Sequence, residues 1–511
     1  MNTETAFLEL DTFVLAGTSN INTAKTNFIF RNVNLKSVMG EMWNKYEKFC
    51  IRMVSCRYYA SVSVTGSTGN IIQNNIKGFD WINCYEEKYG SAQTYLPIGI
   101  MAGSNTGRSY IPTNNHYCFN FRKGQQIINI EFLLTNIGSN GGGAASSLIT
   151  AMPDQSYTFI IQPAENNQNE MAYMGLYTTQ TTVGTITTPI QYPGKNISNN
   201  CRTYTYNGFD MRNLCREFWD KYEDFEILLA GYQYQGYGGQ TAEMQIMPIT
   251  LNGFNWMNNY TDAGTQTSTS SAVIAITKAP ADGSSHQIDI NNYYAPVQFK
   301  KSGDLVTFTI EFRNFDNSAI TQNATLTNRI GYLPFFVRPV KSGLNSQKGT
   351  LSVSSAGLTT TPSQIGVTNA TFTDITINNV DLRQACESFW HKYNKFNIFF
   401  TAMYPNDTVG ALEERAVAMY CEGLQLDAQM SDENPQLTTQ TWNLGAVYTQ
   451  TISSGANGAI SFGNTKGTTF YKSSDQVNLR FYVKEIGTPS ATVSSQILRG
   501  TLTFTIVPIE E

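Results

Sequence analysis

Apolar residues follow a helical spacing in three segments of this 511-residue chain, and the three segments resemble one another. They read NLKSVMGEMWNKYEKF, DMRNLCREFWDKYEDF and DLRQACESFWHKYNKF, and they align without a gap. Within each segment the apolar side chains recur every three or four residues, which places them on one face of a helix. The segments begin at Asn34, Asp210 and Asp381, whose side chains can accept the first free amides of a helix. We predict one short amphipathic helix per segment, with these three residues as N-caps.

Three aromatic positions recur in the same register of every segment. The tryptophans are 176 and 171 residues apart, which indicates a chain built from internal repeats. A tryptophan next to a lysine could form a sugar or cation site. The tryptophans and tyrosines lie on the apolar helix face, however, so we predict that they pack against a sheet. The predicted core of the repeats comprises Trp43, Tyr46, Phe49, Trp219, Tyr222, Phe225, Trp390, Tyr393 and Phe396.

The residues after each helix segment have the composition of β-strands. Val, Ile, Thr, Tyr and Phe favour a pleated sheet, and the Gly, Asn and Ser between them favour turns. A second repeated element reads GFDW, GFNW and GLQL, and it follows the helix tryptophan by 33 to 35 residues. Its anchor residues are Gly78, Trp81, Gly253, Trp256 and Gly423.

Each repeat closes on an apolar strand that ends in proline, at Pro163, Pro339 and Pro508. Within a repeat there is room for about eight short strands at the spacing of a β-sandwich. We therefore predict an all-β fold of three tandem jelly-roll domains. The predicted domains are residues 1–168, 169–343 and 344–511.

The chain carries little charge. Charged residues make up 14% of the sequence and the net charge is −5, whereas about 25% is usual. Without a basic run we expect no direct nucleic-acid contact, because such binding needs clustered Lys and Arg. No apolar stretch reaches the roughly 18 residues of a membrane span, and the first residues lack the basic and apolar regions of a secretion signal. We expect neither a membrane span nor export by that route.

Histidine and cysteine do not form a recognisable site. His116, His286 and His391 occupy unrelated places in different repeats, so a Ser-His-Asp site would need residues from several domains. The eight cysteines contain no CxxC pair and no Cys/His cluster that would indicate zinc. We expect these cysteines to be reduced.

Carboxylates and glycines are equally uninformative about catalysis. The adjacent pairs Glu86–Glu87 and Glu413–Glu414 have no repeated partner elsewhere, so they do not predict a glycosidase. The GSNGGG run from Gly138 lacks the lysine and the helix context of a phosphate loop. We therefore predict a protein that is not an enzyme, with no catalytic residue, metal, cofactor or small-molecule substrate.

The repeated N/D-x-R/K-x₅-[MF]W-x-KY-x₂-F segment, followed by a strand and, in the first two copies, by G-F-x-W-x-N, resembles jelly-roll capsid proteins of large icosahedral DNA viruses. The similarity is to their minor capsid and penton-type proteins, and it covers all three repeats. It implies a structural virion protein that assembles through jelly-roll contacts into an icosahedral shell. Its implied partners are other capsid proteins and itself, and its implied location is the virion capsid, with the host cytoplasm during assembly.

Three copies in one chain depart from the single roll of a penton protein and from the double roll of a major capsid protein. Three joined domains could imitate a trimer of single rolls, with pseudo-threefold symmetry. The alternative function is a multivalent carbohydrate-binding or adhesin protein, because jelly rolls also form lectins. A lectin should repeat an exposed aromatic and Asn/Asp cluster in its loops, yet the loops are the least similar parts of these repeats.

Overall fold

The computed structural model shows an all-β protein with sandwich-like antiparallel sheets and a few short helices. The structure describes residues 4–11, 20–22, 25–59, 70–86, 96–102, 109–110, 119–139, 154–164, 171–177, 202–229, 233–234, 245–262, 271–279, 286–287, 296–312, 330–341, 347–354, 364–367, 370–405, 415–427, 441–450, 467–485 and 500–510.

The first repeat forms two facing sheets. One sheet has the strand order β1-β12-β4-β10-β6, and the other has the order β2-β3-β11-β5-β8. A first strand beside the last strand, with chain neighbours alternating between the sheets, is the jelly-roll arrangement. The strands are β1 (Ala6–Asp11), β2 (Asn20–Asn22), β3 (Lys25–Asn34), β4 (Lys48–Tyr59), β5 (Asn70–Lys77), β6 (Asp80–Ile82), β7 (Cys84–Glu86), β8 (Leu96–Ala102), β9 (Ser109–Tyr110), β10 (Phe119–Arg122), β11 (Ile127–Ser139) and β12 (Asp154–Pro163).

The second repeat has the same two-sheet order. Its strands are β13 (Ala172–Tyr177), β14 (Arg202–Asp210), β15 (Asp224–Leu229), β16 (Gln233–Tyr234), β17 (Gln245–Asn252), β18 (Asn255–Met257), β19 (Asn259–Asp262), β20 (Ser271–Ala279), β21 (His286–Gln287), β22 (Val297–Lys300), β23 (Leu305–Phe312) and β24 (Ile330–Pro339). The sheets run β18-β22-β15-β24-β13-β7 and β14-β23-β17-β20. Strand β7 of the first repeat is therefore part of a sheet of the second.

The third repeat has the same strand order in its two sheets. Its strands are β25 (Gly349–Ser354), β26 (Gln364–Val367), β27 (Ala370–Asp381), β28 (Lys395–Pro405), β29 (Arg415–Glu422), β30 (Gln425–Leu426), β31 (Trp442–Gln450), β32 (Gly467–Tyr471), β33 (Gln476–Glu485) and β34 (Gly500–Pro508). The sheets run β19-β25-β34-β28-β32-β30 and β26-β27-β33-β29-β31, so β19 of the second repeat joins the third. The predicted boundaries at 168/169 and 343/344 fall between strands.

The predicted helix of each repeat consists of two short helical segments. They are α1 (Leu35–Met39) and α2 (Met42–Lys45); α3 (Met211–Cys215) followed by a 3₁₀ turn (Arg216–Phe218); and α4 (Leu382–Ala385) and α5 (Glu387–Trp390). The first segment ends at Gly40 and Arg216, which have φ of 56° and 45°, and at Cys386, which has φ of −127°. These backbone angles leave the right-handed helical region, so the helix stops and restarts.

Each sandwich has its own apolar core, and the cores extend across the repeat boundaries. Tyr173, Leu228 and Phe336 of the second repeat are buried in the core of the first. Tyr85 of the first repeat packs against the second core, and Tyr260 of the second repeat is buried in the third. Neighbouring repeats therefore share hydrophobic packing as well as sheets.

The cysteines differ from one another in state. Cys215, Cys386 and Cys421 are free thiols in the cores, and burial raises the pKa of each of them. Such thiols are poor nucleophiles because the thiolate is disfavoured. Cys50, in contrast, is disulfide-bonded. The expectation that all cysteines are reduced is wrong at this position, since spacing in the sequence does not show which cysteines meet in space.

Candidate assembly interface

The repeated tryptophans pack beneath the helical segments. Trp219 and Trp390 are almost fully buried, and Trp43 is buried slightly less. Each stacks on the phenylalanine six residues later, with ring centroids 6.1, 4.7 and 5.1 Å apart in the three repeats. Phe49, Phe225 and Phe396 are fully buried, and Tyr46, Tyr222 and Tyr393 pack against the cores while partly exposed. In these positions the aromatic residues stabilise each sandwich and are not free to hold a sugar.

The first residue of each helix segment caps it. The side chains of Asn34, Asp210 and Asp381 accept from the amide three residues later, at 3.1, 2.8 and 2.8 Å. This bond satisfies one of the free donors at a helix start. The amide of the next residue, Leu35, Met211 or Leu382, donates at 2.9 Å to a carbonyl oxygen of the turn that precedes β11, β23 or β33, which holds the helix against that turn.

A lysine from that turn contacts the helix tryptophan in every repeat. Lys123, Lys301 and Lys472 donate to the tryptophan carbonyl oxygen at 3.2, 3.0 and 2.9 Å, and their Nζ atoms lie 5.6–5.9 Å from the tryptophan ring centre. The sequence shows these lysines only as basic residues before a turn. Their contact with the tryptophan depends on the tertiary fold, so sequence reasoning missed it.

In the second and third repeats the tryptophan also donates to an aspartate. Trp219 Nε1 donates to Asp304 at 2.9 Å and Trp390 Nε1 donates to Asp475 at 2.8 Å. This bond, helped by a neighbouring arginine, lowers the pKa of both carboxyl groups from the ordinary value of 3.8. The first repeat has Gln126 at this place, and its side chain bonds Asn34 instead.

The glycine of the second repeated element is required by close packing in all three repeats. Gly78, Gly253 and Gly423 have φ of 119°, 101° and 113°. A Cβ added at these positions would lie 2.1, 2.3 and 2.0 Å from a backbone oxygen of the facing strand. Only glycine fits such a backbone conformation and such an approach. The tryptophan anchors Trp81 and Trp256 are half-buried, and Leu426 replaces them in the third repeat.

The first and second repeats meet through an added strand. Strand β7 pairs with β13 in parallel, with Tyr173 opposite Cys84. The Tyr173 amide donates to the Asn83 carbonyl oxygen at 2.8 Å. The Tyr173 ring lies 4.8 Å from that of Phe119 and 5.6 Å from that of Phe336. This junction therefore combines a backbone ladder with a buried aromatic cluster.

The second and third repeats meet in the same way, with more polar side chains. Strand β19 pairs with β25 in parallel, and the Thr350 amide donates to the Asn258 carbonyl oxygen at 2.8 Å. The Thr350 hydroxyl donates to the Pro296 carbonyl oxygen at 3.5 Å. The Asn258 side chain accepts from the Ser388 amide and donates to Gln298, both at 2.8 Å. Hydrogen bonds thus take the place of the aromatic cluster.

One asparagine redirects the chain at each junction. Asn83 and Asn258 end the G-F-x-W-x-N element and have φ of 55° and 51°. Asparagine adopts this left-handed conformation more readily than most residues with a side chain. The turn ends the pairing of β6 and β18 with their own sheets and directs β7 and β19 to the next repeat. The third repeat has Ala428 at the corresponding sequence position.

A cleft of about 550 Å³ lies beside the second junction. It is lined by Trp256, Asn258, Asn259, Asp381, Arg383, Gln384, Glu387 and His391. Several of these groups already have partners: Asp381 caps its helix and Arg383 contacts Asp475. The lining histidine differs from its counterparts Asn44 and Asp220 in the other repeats.

Other candidate groups are dispersed or lie beyond the described chain. No group of three His, Cys, Asp or Glu able to hold a metal occurs among the described residues. His116, Glu87, Glu413, Glu414 and most of the GSNGGG run lie outside the described residues. Within the same described part, no helix is long and apolar enough to cross a membrane.

The strand order and the two junctions define the class of protein as a tandem array of jelly-roll domains. No known protein family matches the chain, and no curated protein matches it. Among solved structures it is similar to the CBM22-1–CBM22-2 tandem domain of Xyn10C from Paenibacillus barcinonensis, at 12% identity, covering 57% of this chain and 79% of that one with a TM-score of 0.16. It is also similar to the T=3 Penaeus vannamei nodavirus structure, at 10% identity, covering 65% and 89% with a TM-score of 0.13.

Proposed function

We propose that this chain is a structural capsid component, a minor capsid or capsomer protein that assembles through jelly-roll contacts into an icosahedral shell. The observation that carries the proposal is the repeated junction: β7 adds to β13, and β19 adds to β25, in the same parallel manner. Each repeat thus forms its own sandwich and also pairs, through a strand, with a neighbouring repeat of the same fold. A protein whose repeats bind one another in a fixed way suits a lattice.

The chemistry of the junctions supports assembly. Backbone bonds, asparagine side chains, a threonine and aromatic rings make the contacts described at the two junctions. Neutral contacts avoid the cost of removing ions from water. The repeated side chains, such as Trp219 and Trp390, are buried and act in folding. In this proposal the chain is not an enzyme and its partners are other capsid proteins and itself, in the virion and, during assembly, in the host cytoplasm.

Mass measurement together with electron microscopy tests the proposal. The purified chain is passed over a size-exclusion column with light scattering and then imaged in negative stain, alone and in any particle that contains it. Three lobes in a compact unit, or rings and sheets of such units, are expected. A chain that neither self-associates nor occurs in any particle, under conditions that preserve its fold, would contradict the structural role.

A carbohydrate-binding role is the second candidate, and the cleft at Trp256 is the observation that favours it. The half-buried Trp256 side chain lines this cleft together with Asn259 and Glu387, and an aromatic ring beside polar side chains is chemistry that can bind a sugar. The test is a glycan array followed by calorimetry with wild type and Trp256→Ala. Binding that disappears in the variant supports the second candidate. Trp81→Ala is the matched control, since Trp81 occupies the same position in the first repeat.

A further inference from the structure

The two junctions can be compared position by position, because their strand registers correspond. In each junction three residues on adjacent strands occupy matching places. They are Tyr173, Phe336 and Leu228 at the first junction and Thr350, Thr505 and Phe399 at the second. Threonine therefore takes the place of two of the three apolar residues at the second junction.

Apolar packing across the two boundaries differs accordingly. Tyr173, Leu228 and Phe336 are buried in the core of the first repeat. In the opposite direction, Tyr85 packs against the core of the second repeat. Among the described residues of the third repeat, none is buried in the core of the second, and Tyr260 crosses that boundary in the other direction. Because apolar burial is the main force that holds two surfaces together, the second boundary is held less firmly.

Polar side chains fill the second junction. Asn259 and Thr261 lie on β19, and Thr350 and Ser352 lie opposite them on β25. All four residues are at most 5% exposed. Because Tyr260, which lies between the two β19 residues, is buried in the third core, the four polar side chains face outward from that core.

Contacts with the second repeat place this polar layer inside the boundary. Asn259 Nδ2 donates to the Ser271 carbonyl oxygen at 2.9 Å, and the Thr350 hydroxyl donates to the Pro296 carbonyl oxygen at 3.5 Å. Both acceptors belong to the second repeat. The layer therefore lies between the second sandwich and the outer face of the third.

Three oxygen atoms of this layer lack a hydrogen-bond partner within the described part of the chain. They are Asn259 Oδ1, Thr261 Oγ1 and Ser352 Oγ, and each is shielded from solvent. A buried polar atom without a partner destabilises the closed arrangement, because it has given up its hydrogen bonds to water. Separation of the two repeats returns such atoms to water, which lowers the free energy needed to open the junction.

We propose that the second junction opens while the first stays closed, so that the third repeat separates from the other two as a folded unit. Opening breaks the pairing of β19 with β25, including the bond from the Thr350 amide to Asn258, and exposes Tyr260. The remaining strands of each sandwich keep their partners. The chain can then present its third repeat at more than one angle, which is a hinge motion. This property does not depend on a structural role in a shell.

Two backbone amides report on the junctions directly. The Tyr173 amide donates to the Asn83 carbonyl oxygen and the Thr350 amide donates to the Asn258 carbonyl oxygen, both at 2.8 Å. In the wild-type chain, hydrogen exchange is measured by mass spectrometry with fragmentation to single residues and is corrected for intrinsic rates. Exchange at Thr350 should be at least about tenfold faster than at Tyr173.

Amides of β28 and β34, in the middle of the third repeat's sheet, should stay protected in the same experiment. Equal protection of Thr350 and Tyr173 would overturn the proposal. Exchange in β28 and β34 as rapid as at Thr350 would overturn it too, because the third repeat would then unfold instead of separating intact.

Two variants of the full-length chain test the physical cause. Thr261→Val and Ser352→Ala each remove a hydroxyl without a hydrogen-bond partner, and valine has nearly the shape of threonine. Each variant should slow exchange at the Thr350 amide by about tenfold, because the closed junction no longer buries that oxygen. Thr376→Val, at an exposed position of β27, is the matched control and should leave the rate unchanged. Unchanged or faster exchange in both junction variants would overturn the proposal.

Discussion

The two junctions within the chain differ in side chains and agree in backbone. At the first, the Tyr173 ring packs against Phe119 and Phe336. At the second, Thr350 donates its amide to the Asn258 carbonyl oxygen and its hydroxyl to the Pro296 carbonyl oxygen. Both keep the parallel strand and the left-handed asparagine. Strand addition therefore determines how repeats join, and the side chains adjust how strongly they do so. Phe7 occupies the same register position in the first repeat, where it is 62% exposed.

The largest expected effect separates Tyr173 from Phe7. Tyr173→Ala should destabilise the chain by about 3–5 kcal/mol, because it leaves a cavity among aromatic rings. Phe7→Ala should change the stability of the monomer by less than about 0.5 kcal/mol, because Phe7 is mostly exposed. Urea denaturation at low protein concentration, followed by tryptophan fluorescence, measures both. If the two variants lost equal free energy of unfolding, burial of Tyr173 at the first junction would not stabilise the chain.

Glycine at the second repeated element is the next test, since it precedes both junctions and recurs at Gly423 in the third repeat. Gly253→Ala should destabilise by about 2–4 kcal/mol, because it combines an unfavourable φ with a Cβ 2.3 Å from the Thr307 oxygen. Gly423→Ala should cost a similar amount. Thermal unfolding is the measurement. The matched control is Gly124→Ala, since nothing lies within 4 Å of an added Cβ there.

The asparagine turn should contribute less than the glycine. Asn258→Ala removes the bonds to Ser388 and Gln298, and we expect a loss of about 1–2 kcal/mol. The loss should be local: hydrogen exchange at the Thr350 amide should accelerate while exchange in the first repeat stays unchanged. Asn255→Ala, at an exposed position three residues earlier, is the control. An unchanged exchange rate at the Thr350 amide would mean that β25 pairs with β19 without help from the Asn258 turn.

The sequence predicted the all-β class correctly because repeated apolar positions and turn residues are local signals. The buried tryptophans also follow from helical spacing alone. The added strands could not be predicted, since β7 and β19 have three and four residues and their pattern does not say which sheet they join. Asn83 and Asn258 were visible in the G-F-x-W-x-N element, but their left-handed conformation was not. The disulfide at Cys50 likewise depends on residues that meet only after folding.

The smallest expected effect is a difference in acid sensitivity between repeats. Hydrogen bonds from Trp219 and Trp390 lower the pKa of Asp304 and Asp475 in the folded chain. Both carboxylates therefore stabilise the folded chain fully at pH values above their ordinary pKa of 3.8. That contribution is lost as the pH falls through the lowered folded pKa. The first repeat has Gln126 at this position, which does not titrate, so acid should weaken only the second and third repeats through this bond.

Thermal melts of wild type and of Asp304→Asn/Asp475→Asn at pH 7 and at pH 3 measure this contribution. The double variant should melt lower than wild type at pH 7 and should lose less on acidification, because an amide does not take up a proton in this range. Asp80→Asn, at an exposed position of the first repeat, should leave the difference between the two pH values unchanged. If the melting temperature of the double variant falls as much as that of wild type between pH 7 and pH 3, the tryptophan–aspartate bonds contribute nothing to acid sensitivity. The difference in sequence between Gln126 and the two aspartates would then have no effect on the stability of the repeats in acid.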